Sequence, residues 1–414
     1  MDISSVALRT VVRGGHIVTM DGNIRADIVI DDRQIVAMLA DSSGVDGDTD
    51  IDATDLLILP GMVETWFPAP WLHDIEAGNT AHAVQTAALA GGLTSIAAEP
   101  GEAPAEVGTP SHLSVDAAIW LPVDAGNLPN SQQIGRMKRV GMIGVSTTLT
   151  GEQGLTDAEL YQLMRVLAEH GLPLAIQPLH GEISPRDPIS ESLVTNTLMV
   201  MAEATGAWVH LHGISTAQAV RTAISARDRG VNVTMSVPAL YLAVAAESGR
   251  SLRVRPPFRS QRDVDELWSY ILAEQVDCVS VTPIRGGENG DLVTDAQTAL
   301  SLFWHEAVTR RGMSASQAVR MLSTNPAQIL GVFPSKGALR IGSDADLVLF
   351  DPEATWTATN EDALDGTGLS PVHGMELTGF ITRVLCHGRT VYAAEHHEDD
   401  SLVIPGTGKL LHRQ

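Results

Sequence analysis

The feature that most constrains this chain is a repeated order of segments between residues 58 and 337. "DAELYQLMRVLAEHGLPLAIQPLHGE" reads as an amphipathic helix, a glycine stop, a short apolar strand and a loop. "LVTNTLMVMAEATGAWVHLHGIST" repeats the order, and so do "STAQAVRTAISARDRGVNVTMSV" and "RDVDELWSYILAEQVDCVSVTP". Upstream, "NTAHAVQTAALAGG" precedes the strand "LTSIAAEP". Strand and helix alternating over roughly 280 residues predict a (β/α)8 TIM-like barrel.

The two ends follow a different pattern. "TVVRGGHIVTMDG" and "ADIVIDDRQIVAML" alternate apolar and polar residues and break at Gly and Asp, as do "GALRIGSDADLVLFDP" and "ITRVLCHGRTVYAA". The expected organisation is a small β-sandwich formed by both termini, residues 1–57 with 338–414, around a barrel of residues 58–337. The polar tail "AAEHHEDDSLVIPGTGKLLHRQ" is expected to be loosely held.

Composition sets outer limits. Hydrophobic residues are 44% and charged residues 19%, a mix that fills a core. The net charge of −23 argues against nucleic acid or an anionic membrane as partner and leaves room for a basic protein. Cys278 and Cys386 suggest no disulfide framework. The start "MDISSVALRTVVRGG" lacks a signal-peptide pattern, and no apolar run approaches a membrane span, so cytoplasmic residence is expected.

Several segments in order, "LILPGMVET", "AALAGGLTSI", "LAEHGLPLAI", "MAEATGAWVHLHGIST", "GVNVTMSV", "RVRPPFRS", "MLSTNPAQILGV" and "GSDADLVLFDP", resemble the amidohydrolase superfamily. The likeness is strongest to its dihydroorotase–hydantoinase–allantoinase group. That resemblance implies metal-assisted hydrolysis of an amide, with ligands converging at the C-terminal mouth of the barrel.

The positions that resemblance points to are changed here. Trp66 and Pro68 stand where the first strand would carry His-x-His, and Pro70 where a substrate-binding Arg would follow. Thr147, between Ser146 and Thr148, stands for the bridging Lys or Asp of strand four. Gln177 and Gly213 replace the histidines of strands five and six, and Thr282 the aspartate of strand eight. Gly101 and Arg255 occupy substrate-binding asparagine positions. None of the replacements is His, Cys, Asp or Glu, so the resemblance implies a catalytically inactive, dihydroorotase-like subunit without zinc. Its expected partner is the aspartate transcarbamoylase catalytic chain of pyrimidine synthesis.

Two other readings stay open. One is an active amidohydrolase with a rearranged or absent metal site. The other is a small-molecule sensor holding an anion with Arg255, Arg259 and Gln177. Trp66, Phe67, Pro68, Pro70 and Trp71 either pack or close the mouth. His210 and His212 form an HxH pair on one strand face, which the alignment turns away from the ligand face. They read as packing histidines or half a metal site. His180 with Glu182 and Asp187 offers a displaced weak site or an ordinary solvated loop. "PGTGKLL" lacks the spacing of a phosphate loop.

Overall fold

The computed structural model describes residues 8–73, 78–101, 110–151, 154–250, 252–285, 292–396 and 403–413. Asp74, Glu102, the 286–291 segment that follows the last barrel strand, and 397–400 of the His/Asp/Glu run lie outside the described residues.

Each repeat becomes a helix with chemically defined ends. In Asp157–His170, Thr156 and Glu159 form a reciprocal capping box, and Gly171 ends the helix at φ 62°. Leu160, Leu163, Met164 and Leu167 recur at helical spacing and are all buried. Ser260 caps Gln261–Leu272, its hydroxyl accepting from the Asp263 amide, and Val264, Leu267, Trp268 and Ile271 form its inner face. Removing the Thr156 hydroxyl by Thr156→Ala is expected to cost about 1 kcal/mol in chemical denaturation. No effect would show that the cap contributes nothing here.

Eight parallel strands make the barrel in sequence order: Met62–Pro68, Leu93–Glu99, Asp116–Pro122, Gly144–Thr147, Leu174–Ile176, Val209–Leu211, Val233–Pro238 and Cys278–Ser280. Along each strand the side chains alternate. Val145, Leu174, Ile176, Val209, Leu211, Met235, Val237, Val279 and Val281 belong to the core shared with the surrounding helices. The intervening positions therefore face the barrel lumen. At its N-terminal end the lumen is apolar: Val63, Ala97, Ala118, Trp120 and Ala175 pack on Ala327, Leu330 and Val332. Toward the C-terminal end it turns polar, with Ser146, Gln177, His210, His212, Ser236, Ser280 and Thr282 on that face.

Backbone pairing runs from the first strand to the eighth without closing the ring between those two. Glu64 fills the seam. Its Oε2 accepts the Val281 amide at 2.6 Å and its Oε1 the Trp66 amide at 3.0 Å.

Strands from both ends of the chain build two further sheets. One has four strands, Gln34–Leu39, Asp27–Asp31, Arg9–Arg13 and Thr49–Asp52, in that order. The other has six, with Leu57–Pro60 from the N-terminal part antiparallel to Leu347–Thr357 from the C-terminal part.

Where barrel meets sheets lies a buried ionic cluster. Lys336 Nζ contacts Asp116, lies 2.9 Å from Asp344 Oδ2 and 2.7 Å from Asp346 Oδ2, and is 3.3 Å from His387 Nε2. Asp116 opens the third strand, so the cluster sits under the barrel floor, away from the mouth.

The tail differs from expectation. Residues 403–413 lie along that floor: Lys409 N donates to Asp116 Oδ1 and Leu411 N to Ala117 O, each at 2.8 Å. The Arg413 guanidinium sits 4.6 Å from the Trp208 ring centroid. The free backbone of the third strand's entry and the apolar Leu410–Leu411 pair give this polar stretch a surface to bind. "PGTGKLL" is part of this floor segment. No helix among the described residues is long and apolar enough to cross a membrane.

Candidate active site at the barrel mouth

The first strand decides what reaches the mouth. Its register with the second strand slips between Glu64 and Phe67, a bulge that re-aims the side chains. Phe67 turns outward into the helix-facing core. Trp66 turns inward and stacks on His212, with ring centroids 4.3 Å apart and planes 11° apart. Pro68 pairs opposite Glu99 at the strand's end. Pro70 is exposed at the start of the 3-10 turn Pro70–His73, and Trp71 is buried. Of the apolar group at 66–71, only Trp66 is seen to stack within the lumen.

His210 and His212 thus both face the lumen, contrary to the orientation expected from the alignment. Burial holds His210 neutral, its pKa pushed down to about 3, and lowers His212 well below the usual range, with His210 adding to the effect. His210 Nδ1 lies 3.0 Å from Thr234 Oγ1, and its Nε2 has no partner among the described residues.

Gln177 spans two of the changed positions. A Cβ on Gly213, which has φ +68°, would lie 2.8 Å from Gln177 Nε2. The amide therefore occupies the space a side chain at 213 would need. Its Nε2 donates to the carbonyl of Arg255 at 3.1 Å, fixing it across the mouth. Thr147 Oγ1 donates to Val123 O at 2.7 Å, while the neighbouring Ser146 hydroxyl is buried without a partner. Gly101 is exposed at φ +80° with open space around it.

The two arginines separate. Arg255 is exposed. Arg259 is buried, 3.6 Å from Glu191, and donates to Ser215 Oγ at 2.9 Å and Arg186 O at 3.1 Å. Glu191 in turn accepts from the amides and hydroxyls of Ser215 and Thr216. Arg259 is therefore committed to a buried carboxylate and does not join Arg255 and Gln177 in an open anion pocket. His180 serves its own loop, its Nδ1 accepting from the amides of Glu182 and Ile183, and Asp187 caps the helix Pro188–Thr205.

The residues with the most reactive setting were not among those singled out from the sequence. Asp295 is buried and accepts the Thr282 amide through Oδ1. Its Oδ2 and the Thr282 hydroxyl make no well-formed hydrogen bond. Buried polar atoms left this way are where a water or ligand atom belongs. Burial pushes the Asp295 carboxyl up to about 7, against the pull of the Thr282 amide and, more weakly, the Thr282 hydroxyl. Glu64 rises further, to about 8: burial dominates, the amides of Trp66 and Val281 oppose it, and the charge of Asp295 adds to it. Two buried carboxyl groups near the mouth thus have pKa values raised toward neutrality. A sequence signal existed: each is a lone acidic residue in an apolar stretch, "PGMVET" and "LVTDAQTAL".

These displaced pKa values fix a pH dependence of stability. Glu64 binds a proton more tightly in the folded state than in the unfolded one, so its contribution is fully present below about pH 4.5 and lost as pH rises to about 8. Every tenfold gain in proton affinity on folding is worth up to ~1.4 kcal/mol. Denaturant midpoints should therefore fall steadily between pH 5 and 8, and Glu64→Gln should flatten that slope. An unchanged slope in the variant would contradict this role for Glu64.

Among the described residues, the ligand-type side chains close enough to share one ion lie away from the mouth. Asp346, Cys386 and His387 form one group, and Asp116, Asp344 and His387 another, both in the cluster under the floor. Their donor chemistry suits a borderline metal ion, but the Lys336 ammonium already lies among the carboxylates. At the mouth, indole, pyrrolidine, hydroxyl, amide and glycine at positions 66, 68, 147, 282, 177 and 213 do not form a metal ligand set.

Residues 79–391 match the profile of the amidohydrolase family. The chain belongs to that family. Among its relatives, an allantoinase of Rubrobacter xylanophilus is 28% identical over 93% of this chain and 94% of its own length. An allantoinase of Deinococcus radiodurans is 27% identical over 94% and 96%. A D-hydantoinase (dihydropyrimidinase) from Thermus sp. superposes with a TM-score of 0.87 at 21% identity, covering 98% of this chain and 99% of that one. A dihydropyrimidinase from Brevibacillus agri gives 0.82 at 22% identity, with the same coverage.

These matches correct three expectations drawn from the sequence. Relatives aligned over nearly the full length are named as hydrolases, which overturns the reading of an inactive dihydroorotase-like subunit of an aspartate transcarbamoylase assembly. The leaning against an enzyme falls with it. So does the expectation that no metal is involved, since the family chemistry is metal-assisted and two clusters of ligand-type residues are present in this amidohydrolase fold. The physical reason for the error is visible. Counting ligands at six aligned positions gave no weight to Glu64 and Asp295, which the fold brings beside them.

Proposed function

We propose that this amidohydrolase opens a cyclic amide or ureide ring by hydrolysis at the barrel mouth, on substrates of the allantoin, hydantoin or dihydrouracil type. The observation that carries the reading is the buried Glu64–Asp295 carboxyl pair, raised toward neutrality beside the Thr282 hydroxyl. Full-length similarity to allantoinases supports it.

Ring opening needs a water deprotonated as it attacks the carbonyl carbon, and a proton delivered to the ring nitrogen as the C–N bond breaks. Asp295 serves as base, because its Oδ2 makes no well-formed hydrogen bond and burial raises its carboxyl to about 7, with the Thr282 amide and hydroxyl opposing the rise. Once protonated, it can return that proton to the leaving nitrogen. Glu64 is a positioning residue: locked by two amides, it holds the strand seam on which Thr282 and Asp295 rest. Trp66 stacked on His212 offers an aromatic surface for a flat ring.

The test is incubation of the purified chain with allantoin, hydantoin and dihydrouracil, with and without added Zn²⁺, Mn²⁺ or Co²⁺, following the open-chain carbamoyl product by mass spectrometry. Turnover of at least one is the expected result. Failure on all three under every metal condition removes the proposal.

A further inference from the structure

A cavity of about 220 Å³ lies well apart from the lumen, between the barrel and the six-stranded sheet. Three aromatic side chains from successive strands of that sheet line it: Trp356, Phe380 and Tyr392. Gln297, Leu364 and Asp362 also form part of its wall.

The wall is held in place by its own bonds. Trp356 and Phe380 meet edge to face, centroids 5.7 Å apart and planes at 72°. Trp356 Nε1 donates to Gly379 O at 3.1 Å, which fixes the indole and leaves ring surface to the cavity. Gln297 donates to Asp362 O at 2.7 Å and accepts from Leu364 N at 2.9 Å, pinning the loop that carries Asp362.

The electrostatics have one sign. Asp362 is the only charged side chain among the described residues of the wall. Its Oδ2 accepts from Thr359 N and Oγ1, both at 2.8 Å, and its Oδ1 accepts no hydrogen bond among the described residues. The Tyr392 hydroxyl makes no hydrogen bond among the described residues. Aromatic faces carry negative potential, and beside a carboxylate they favour a cation over a neutral guest of the same shape.

We propose that this cavity binds a small organic cation with an alkylammonium head, held against Trp356 and Tyr392 by cation–π attraction and by the charge of Asp362. An inorganic ion lacks the apolar surface to fill such a wall, and an anion faces the Asp362 charge. Burial raises the Tyr392 pKa, and the charges of Asp362 and of Glu395, which pairs with Arg383, add to it.

Calorimetric titration of the full chain with choline, and with its uncharged isostere 3,3-dimethyl-1-butanol, tests this. Choline should bind with a dissociation constant of about 1 mM or tighter, and the isostere at least about tenfold more weakly. Asp362→Asn, at an exposed position, and Trp356→Leu should each weaken choline about fivefold or more, while Asp362→Asn keeps the native melting temperature. Equal affinity for the two ligands overturns the proposal. So does the absence of binding up to about 20 mM, or choline binding that both substitutions leave unchanged.

Discussion

Asp295→Asn is expected to lower the ring-opening rate by about 10²- to 10⁴-fold, the usual contribution of a positioned general base. Asparagine keeps an oxygen for the Thr282 amide, so the local backbone need not move. What disappears is the ionisable oxygen that makes no well-formed hydrogen bond. Because the base must be ionised to act, the native rate should rise with pH through about 7 and then level off. Stability should move the other way. The variant no longer buries a carboxyl that must ionise as pH rises, so it should lose less stability than the native chain between pH 6 and 8. A variant that is inactive only because it is unfolded would fail this second measurement.

Lys336→Met should cost about 3–5 kcal/mol in folding stability, the penalty for stranding buried charges by removing their counter-ion. Asp116, Asp344 and Asp346 converge on one ammonium that is almost entirely buried. In the native protein burial pushes the Asp116 pKa up, but Lys336 and His387 outweigh it and hold the group at about 2. Its contribution to stability is therefore present above about pH 3.8 and lost as pH falls through about 2. Without the lysine, burial acts with less opposition and the sign reverses: the variant should lose stability as pH rises above about 4. The deficit relative to the native chain should accordingly be larger at pH 7 than at pH 4. A uniform deficit would mean that packing of the lysine stem, not its charge, is what matters.

The fold was legible because its signals are local and repeated. Caps such as Thr156 and Ser260, glycine stops such as Gly171, and the helical spacing of Leu160, Leu163 and Leu167 specify each unit without reference to distant parts. The family resemblance added the order of the units. The site was less legible, because its chemistry depends on contacts between residues far apart in the chain. Glu64 meets the Val281 amide across 217 residues, and nothing near either residue announces the meeting. A bulge sends Phe67 outward and Trp66 inward, although simple alternation cannot tell the two apart. Gly213 reads as a lost ligand until Gln177 is seen in the space its side chain would take. The tail misled for a similar reason. Its polar composition suggests looseness, while its backbone finds acceptors on Asp116 and Ala117 that become available only once the barrel has formed.

Parallel pH–rate profiles of the native chain and Asp295→Asn, on allantoin, hydantoin and dihydrouracil, probe the hydrolytic activity most directly. The native chain should open at least one ring with kcat/KM rising through about pH 7, and the variant should lose both the rate and the inflection. Equal profiles for the two proteins, or no ring opening by the native chain at any pH, would contradict it.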